Sequence, residues 1–447
     1  MLARRPGPRV GLAFRGAWAV AHRYGTVAEP LLSDVLRLET MDCEGAGRPQ
    51  VFVSDRTEHP MKITRVRTDV INARLRNWVI VRVETDQPGL YGLGEATIEW
   101  QTHAVVGAVT DLSELIIGRD PRDIERLWQM MYRHPFFKGG VVTMSALSGI
   151  DQALWDISAK EMGVPLWRAL GGLARNRIRM YDHLGGGDSN AVYNSDTVLS
   201  FAEKMQKSVS DGFTAVKILA VPKSAPLDNS AQLRHAEELM QTAREAGGPD
   251  VDIMVDFHGR TSAAMAIEYA AVLEPFHPYF LEEVVQPEFV AGMARVARST
   301  RVPLASGERL FTTQEFLPLL QAEAIAVAQP DVCHAGGITG VRKIAALCAT
   351  FGVVMAPHNP LGPVATMVNV HLGLTLPNFL IQEVMRSDVP WREDVVQGVP
   401  EIHDGYMQPP TEPGIGLSIN EVEAAKHPFE DSSPTQWFHD DGSTADW

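Results

Sequence analysis

Val251-Asp-Ile-Met-Val-Asp-Phe-His258, Tyr279-Phe-Leu-Glu-Glu283 and Val302-Pro-Leu-Ala-Ser-Gly-Glu308 are short apolar runs that each end in acidic residues. Longer helical patterns separate them. Outward from this stretch come Ile178–Asp182 and Ala215–Ala220 on one side, and Ala326–Val332, Val353–His358 and Phe379–Glu383 on the other. Helix-like segments such as Asp228–Ala246 and Ile338–Phe351 stand between runs. A strand buried on both faces reads as such a continuous apolar run. Eight strand–helix alternations predict an α/β fold, a closed (β/α)₈ TIM-like barrel over residues 178–390. A doubly wound open sheet with more strands than usual is the alternative.

Upstream, Met61–Ile71 alternates apolar and polar residues and Trp78–Glu84 follows as its hairpin partner. Asp120–Tyr132 opens with an acidic, proline-bearing turn and reads as a helix, as does Ser145–Lys160. Residues 61–177 are thus expected to form a small α+β domain, and the tail, 391–447, to pack back on it. Residues 1–60 show no sustained periodicity. They are expected to be a poorly ordered extension, with the folded protein beginning near Met61.

The chain has 447 residues, long enough for two domains, with 45% hydrophobic and 21% charged residues. A formal net charge of −15 argues against nucleic-acid or anionic-membrane partners, but not against a small anionic substrate beside a bound cation. Cys43, Cys333 and Cys348 show no paired spacing, which points to a reducing cytoplasm. No apolar run approaches the roughly 20 residues of a membrane helix. Arg4-Arg5 lacks the apolar stretch that export requires. Gly185-Gly-Gly187 lacks a Walker lysine and dinucleotide spacing, and reads as a barrel loop. Trp128, Trp155 and Trp167 read as core.

The chemistry collects where the strands end. A barrel builds its active site from the C-terminal ends of its strands. Asp256, Glu282 and Glu308 are equally spaced, 26 residues from each to the next, which puts them on adjacent strands at a similar height. Crowded carboxylates repel unless a cation neutralises them, and an all-oxygen set suits Mg²⁺. Single acids at strand ends often only cap helices; three in register with histidines among them do not fit that explanation. His258, two residues past Asp256, shares its face if the strand continues. His358 ends the seventh run and Asp331 the sixth, so a carboxylate stands ready to orient the imidazole and raise its basicity. Lys217 in the second run is either a substrate contact or a packed stem with a solvated head.

Asp256-Phe-His-Gly-Arg260, Leu281-Glu-Glu283, Ser306-Gly-Glu-Arg309, Gln329-Pro-Asp-Val332, His334-Ala-Gly-Gly-Ile-Thr339 and Ala356-Pro-His-Asn-Pro-Leu-Gly-Pro363 resemble the enolase superfamily. Within it they are similar to the mandelate racemase subgroup, nearest its galactonate dehydratases. The likeness runs from about Met61 to Trp447 and includes Gly149-Ile-Asp-Gln-Ala-Leu-Trp-Asp156. It implies an α+β capping domain, made by the first part and the C-terminal tail, over the barrel. It implies Asp256, Glu282 and Glu308 as Mg²⁺ ligands, His358 with Asp331 as the base that removes the proton α to a carboxylate, and His258 as the acid. Glu383, protonated or bridged by water, would hydrogen-bond the enediolate. A galactonate-type sugar-acid dehydratase giving a 2-keto-3-deoxy acid is the expected activity, in a homo-octamer. Gluconate, mannonate or pentonate dehydration, an epimerase or racemase, and a non-catalytic sugar-acid binder are the alternatives. Two departures stand out. Lys217-Ile-Leu219 lacks the second lysine of the Lys-x-Lys found in many relatives, and with it a base on the opposite face. Val384–Trp391 does not resemble the galactonate-type segment.

Overall fold

The computed structural model describes residues 61–184, 198–221, 223–385, 388–431, 438–439 and 441–446. The extension expected over residues 1–60, the Gly185–Gly187 run and residues 386–387 of the divergent segment lie outside the described residues.

The chain first forms an antiparallel sheet of β1 (Ile63–Ala73), β2 (Arg76–Thr85) and β3 (Tyr91–Glu95). Arg74, with φ of +60°, makes the tight turn between β1 and β2. Four helices follow: α1 (Thr102–Ile116), α2 (Ile124–Arg133), α3 (Val141–Glu161) and α4 (Leu166–Ala169). Helix α3 crosses β3 at backbone distance, because Gly92 and Gly94 carry no Cβ. One added there would fall 1.9 Å from the carbonyl oxygens of Ala153 and Gly149. Two elements start away from their expected places. Helix α2 begins at Ile124 because the Asp120 side chain folds onto the backbone N–H and guanidinium of Arg122, making a turn. Helix α3 begins at Val141, straight after two left-handed glycines, Gly139 and Gly140.

The barrel then runs β4 (Ile178–His183), α5 (Val198–Ser210), β5 (Ala215–Ile218), α6 (Ser230–Gly247), β6 (Asp252–Asp256) and α7 (Ala263–Leu273). It continues β7 (Phe280–Glu282), α8 (Val290–Ala297), β8 (Leu304–Ser306), α9 (Thr313–Gln321), β9 (Val327–Ala328), α10 (Gly337–Thr350), β10 (Val354–Met355), α11 (Pro363–Thr375) and β11 (Gln382–Val384). Strands β4 to β10 pair in sequence order, all parallel. Strand β11 pairs with β4, and a parallel bridge from Met355 to Phe379 joins its run to β10. The sheet is therefore closed, which excludes the open doubly wound alternative.

Tyr181, Ala215, Met254, Phe280, Ala305, Val327, Ala356 and Ile381, one from each strand, fill the barrel interior. By the strand period of two, the next residues on the same face are His183, Lys217, Asp256, Glu282, Gly307, Gln329, His358 and Glu383. The packed layer thus carries seven polar side chains above it, with Gly307 in the eighth place.

The tail returns over both parts. A hairpin of β13 (Ile402–His403) and β14 (Tyr406–Met407) adds antiparallel to the start of β4, after β12 (Val396–Gln397), which pairs with β15 (Ser418–Ile419). Ile415 and Leu93 both donate backbone N–H groups to the buried Asp156, and Trp391 stacks on His427 at 4.2 Å. Among the described residues no helix is long and apolar enough to cross a membrane.

Candidate active site

Strand β6 ends at Asp256, whose Oδ1 accepts the backbone N–H of His258 at 2.8 Å. That bond turns the chain, so His258 and Gly259 take φ of +54° and +67°. His258 was expected to share the face of Asp256 through an extended strand. Instead a left-handed turn brings its Nε2 to 3.3 Å from Asp256 Oδ2. Strand β7 delivers Glu282, and the loop after β8 delivers Glu308. One oxygen from each of Asp256, Glu282 and Glu308 lies within 4.8 Å of the others.

Asp256 Oδ2, Glu282 Oε2 and Glu308 Oε2 are buried without a well-formed hydrogen bond, the His258 and His358 rings standing 3.3 Å and 3.5 Å from the first and last of them. Burial, reinforced by Asp256, Glu383 and Glu308, outweighs Lys217 and raises Glu282 well above the ordinary carboxylate range. Orphaned, mutually repelling oxygens are the donor set a hard divalent cation satisfies, so the residues fit Mg²⁺. Lys217 supplies part of the counter-charge. Its ammonium sits 2.8 Å from Glu282, 2.7 Å from Glu383 and 3.7 Å from Asp256. The side chain is 1% exposed, which corrects the reading of a solvated head.

On the opposite side of the mouth, His358 Nδ1 lies 2.8 Å from Asp331 Oδ2 and its Nε2 lies 3.5 Å from Glu308. Burial disfavours the charged ring, but Glu308, Asp331 and Glu383 outweigh it and hold His358 up at about 10. Asp331 is itself fixed by the Cys333 N–H at 2.6 Å. Glu383 accepts the Asn359 N–H at 2.7 Å. Burial opposes its charge, yet Lys217, His358 and His183 hold it ionised, at about 2. All eight residues singled out from the sequence therefore gather at one mouth.

His183 was missed. It lies 5% exposed at the end of β4, beside Lys217 in register, and burial and Lys217 press its pKa down to about 3. The alternation Tyr181, His183 was the signal; the expected run stopped one residue short. Leu219, just past the end of β5 and two residues after Lys217, is also buried.

The capping part holds the loop that carries Asp331. From α3, Ser145 bonds His334 Nδ1 at 2.8 Å, Ser148 accepts the N–H groups of Gly336 and Gly337, and Asp151 accepts that of Thr339. Trp128 and Trp155 donate to Gly336 and to Thr339 Oγ1. Glu95, at the end of β3, caps α11 by accepting Gly362 and Ala365 N–H groups.

Comparison with known proteins agrees with this architecture. The N-terminal domain of the mandelate racemase / muconate lactonizing enzyme family matches residues 50–171, and the enolase C-terminal domain-like family matches residues 200–423. A D-galactonate dehydratase from Ralstonia nicotianae is 38% identical over 397 residues, 87% of this chain and all of that protein. A putative dehydratase from Salmonella enterica serovar Typhimurium superposes with a TM-score of 0.76 at 31% identity, covering 83% of this chain and 99% of that one. A putative galactarate dehydratase from Agrobacterium radiobacter, with sodium and L-malate bound, gives 0.79 at 29% identity, covering 86% and 99%. Identity of this extent to a named dehydratase identifies the chain as an enzyme of the hydro-lyase kind. Both of its domains and its full-length relatives place the chain in the enolase superfamily, as a member of the mandelate racemase / muconate lactonizing enzyme family.

Proposed function

We propose that the protein is a Mg²⁺-dependent sugar-acid dehydratase of the galactonate type. The observation that carries this reading is the carboxylate triad with its orphaned oxygens, flanked by His258 on one side and the Asp331–His358 pair on the other. Asp256, Glu282 and Glu308 hold the metal. Bound there, Mg²⁺ stabilises negative charge developing on the substrate carboxylate.

With a cation on Glu308, the carboxylate that most favours the charged ring is neutralised, so His358 Nε2 would be free to take the proton from the carbon α to the substrate carboxylate, while Asp331 fixes the tautomer through Nδ1. His258 gives a proton to the departing C3 hydroxyl, which leaves as water. Tautomerisation of the remaining enol yields a 2-keto-3-deoxy acid. Glu383, whose carboxylate is paired with Lys217 at 2.7 Å, would act through that ammonium or a bridging water. Lys217 contacts the bound acid from the floor of the mouth. Leu219 offers no base on the second face, which favours elimination over racemisation.

Incubating the purified enzyme and Mg²⁺ with a panel of acid sugars tests the reading. Galactonate should give the 2-keto-3-deoxy acid, and EDTA should stop its formation. Turnover of gluconate, mannonate or a pentonate alone would move the substrate within the class. No 2-keto acid from any of them would refute the dehydratase reading. Both described cysteines are buried and free, which supports a reducing cytoplasm. The homo-octamer implied by the family resemblance is open to light scattering.

A further inference from the structure

Directly behind the carboxylate triad stands a second ring, made by residues that follow its members. Glu283 follows Glu282, Arg309 follows Glu308, and Gly259 lies just past His258. Glu283 is fully buried and takes φ of +43°, a conformation that costs energy unless its surroundings hold it. Its Oε2 accepts both Nε (2.9 Å) and Nη2 (2.5 Å) of Arg309, and its Oε1 accepts Ser306 Oγ and the Gly307 N–H. The Arg309 guanidinium lies against Gly259, where a Cβ would be 2.2 Å from Nη2. Gln286 closes the ring. Its carbonyl accepts Arg309 Nη1 at 2.8 Å and its amide donates to Gly259 O at 3.1 Å. The Glu283 carbonyl also accepts the Gly259 N–H at 2.6 Å.

We infer that Arg309, with Glu283 and Gln286, is a positioning cluster that sets both the spacing of the three metal carboxylates and the pose of His258. This rests on the reading of the site as a Mg²⁺ centre with His258 as acid. The strands alone do not fix either feature, since Glu308 and His258 both lie beyond the ends of β8 and β6. The Arg309 guanidinium stands 3.9 Å from Glu308 and, through Gln286, holds Gly259, the residue that follows His258. Groups that orient metal ligands typically carry about 10–100-fold in metal affinity.

The test uses Arg309→Lys, which keeps the charge and loses the fork, and Gln286→Leu, which frees Gly259 but leaves the Arg309–Glu283 pair. Calorimetry measures Mg²⁺ binding to the stripped proteins, and NMR in D₂O compares exchange of the substrate α-proton with loss of water. Arg309→Lys should weaken Mg²⁺ by roughly 10–100-fold. It should also raise the ratio of exchange to elimination, because the acid is misplaced while the base remains. Gln286→Leu should raise that ratio with Mg²⁺ affinity near wild type. Wild-type affinity and ratio in folded Arg309→Lys would overturn the inference. If that variant fails to fold, an unchanged ratio in Gln286→Leu overturns it. A wild-type protein that takes up no Mg²⁺ would instead refute the metal-site reading, and the inference with it.

Discussion

His358 is held from both ends, with Asp331 on Nδ1 and Glu308 facing Nε2. Removing the Asp331 charge leaves the ring in place but less basic and freer to turn. Asp331→Asn should therefore lower kcat by about 10²–10⁴-fold with Mg²⁺ affinity retained, a split read from steady-state kinetics beside calorimetry. Glu282→Gln strikes the other half of the site. It removes a negative ligand from a hard cation, so calorimetry should find no Mg²⁺ uptake and the assay no turnover. The equal spacing of Asp256, Glu282 and Glu308 made that carboxylate cluster legible in the sequence. Glu283, Gln286 and Arg309 were not legible as a group, because what joins them is side-chain contact across two strand ends. Nothing in their spacing records it.

Helix α11 shows how elements carry the site. It begins just after His358-Asn359, and its first N–H groups end on Glu95 from β3 rather than on a cap of its own. Glu95→Ala would strand those donors in a buried place, costing about 3 kcal/mol in urea unfolding. Gly362→Ala should act similarly, since its Cβ would fall 2.5 Å from Glu95 Oε1. The same helix carries a pH-sensitive tie. His371 accepts the Trp167 N–H at Nδ1 and its Nε2 faces the Ile415 carbonyl, an arrangement that needs the neutral ring. Burial presses its pKa to about 4, against the weaker pull of the carbonyl. The unfolded chain, with a histidine pKa of about 6.5, then binds more protons between those values. This stabilisation is full above about pH 6.5 and is lost as pH falls towards 4. Unfolding at pH 7 and pH 5 should differ by about 2 kcal/mol more in wild type than in His371→Gln. Strand β3, which supplies Glu95, was not anticipated: five residues with two glycines show little alternation.

Within a chain of net charge −15, the site itself gathers the carboxylates of Asp256, Glu282, Glu308, Asp331 and Glu383 around Lys217 and His358. On the proposed reading, Lys217 and a cation bound by the triad would supply the field that draws in a carboxylate substrate, since the surface does not. The barrel was readable because each of its eight units repeats one pattern. The return of the tail to Asp156 and β4 was expected only in outline, since short strands such as β12 to β15 carry almost no periodicity. Mg²⁺ binding to the folded state alone should raise the melting temperature of the wild type by a few degrees at saturation, and leave Glu282→Gln unmoved. In the proposed reaction His358 draws off the α-proton before His258 releases the hydroxyl. NMR of the substrate in D₂O with Mg²⁺-loaded His258→Asn and His358→Asn tests it most directly. His258→Asn should still exchange the α-proton while forming little 2-keto acid, and His358→Asn should do neither. Exchange retained by Mg²⁺-loaded His358→Asn and lost by His258→Asn would contradict it, and would reverse the two roles.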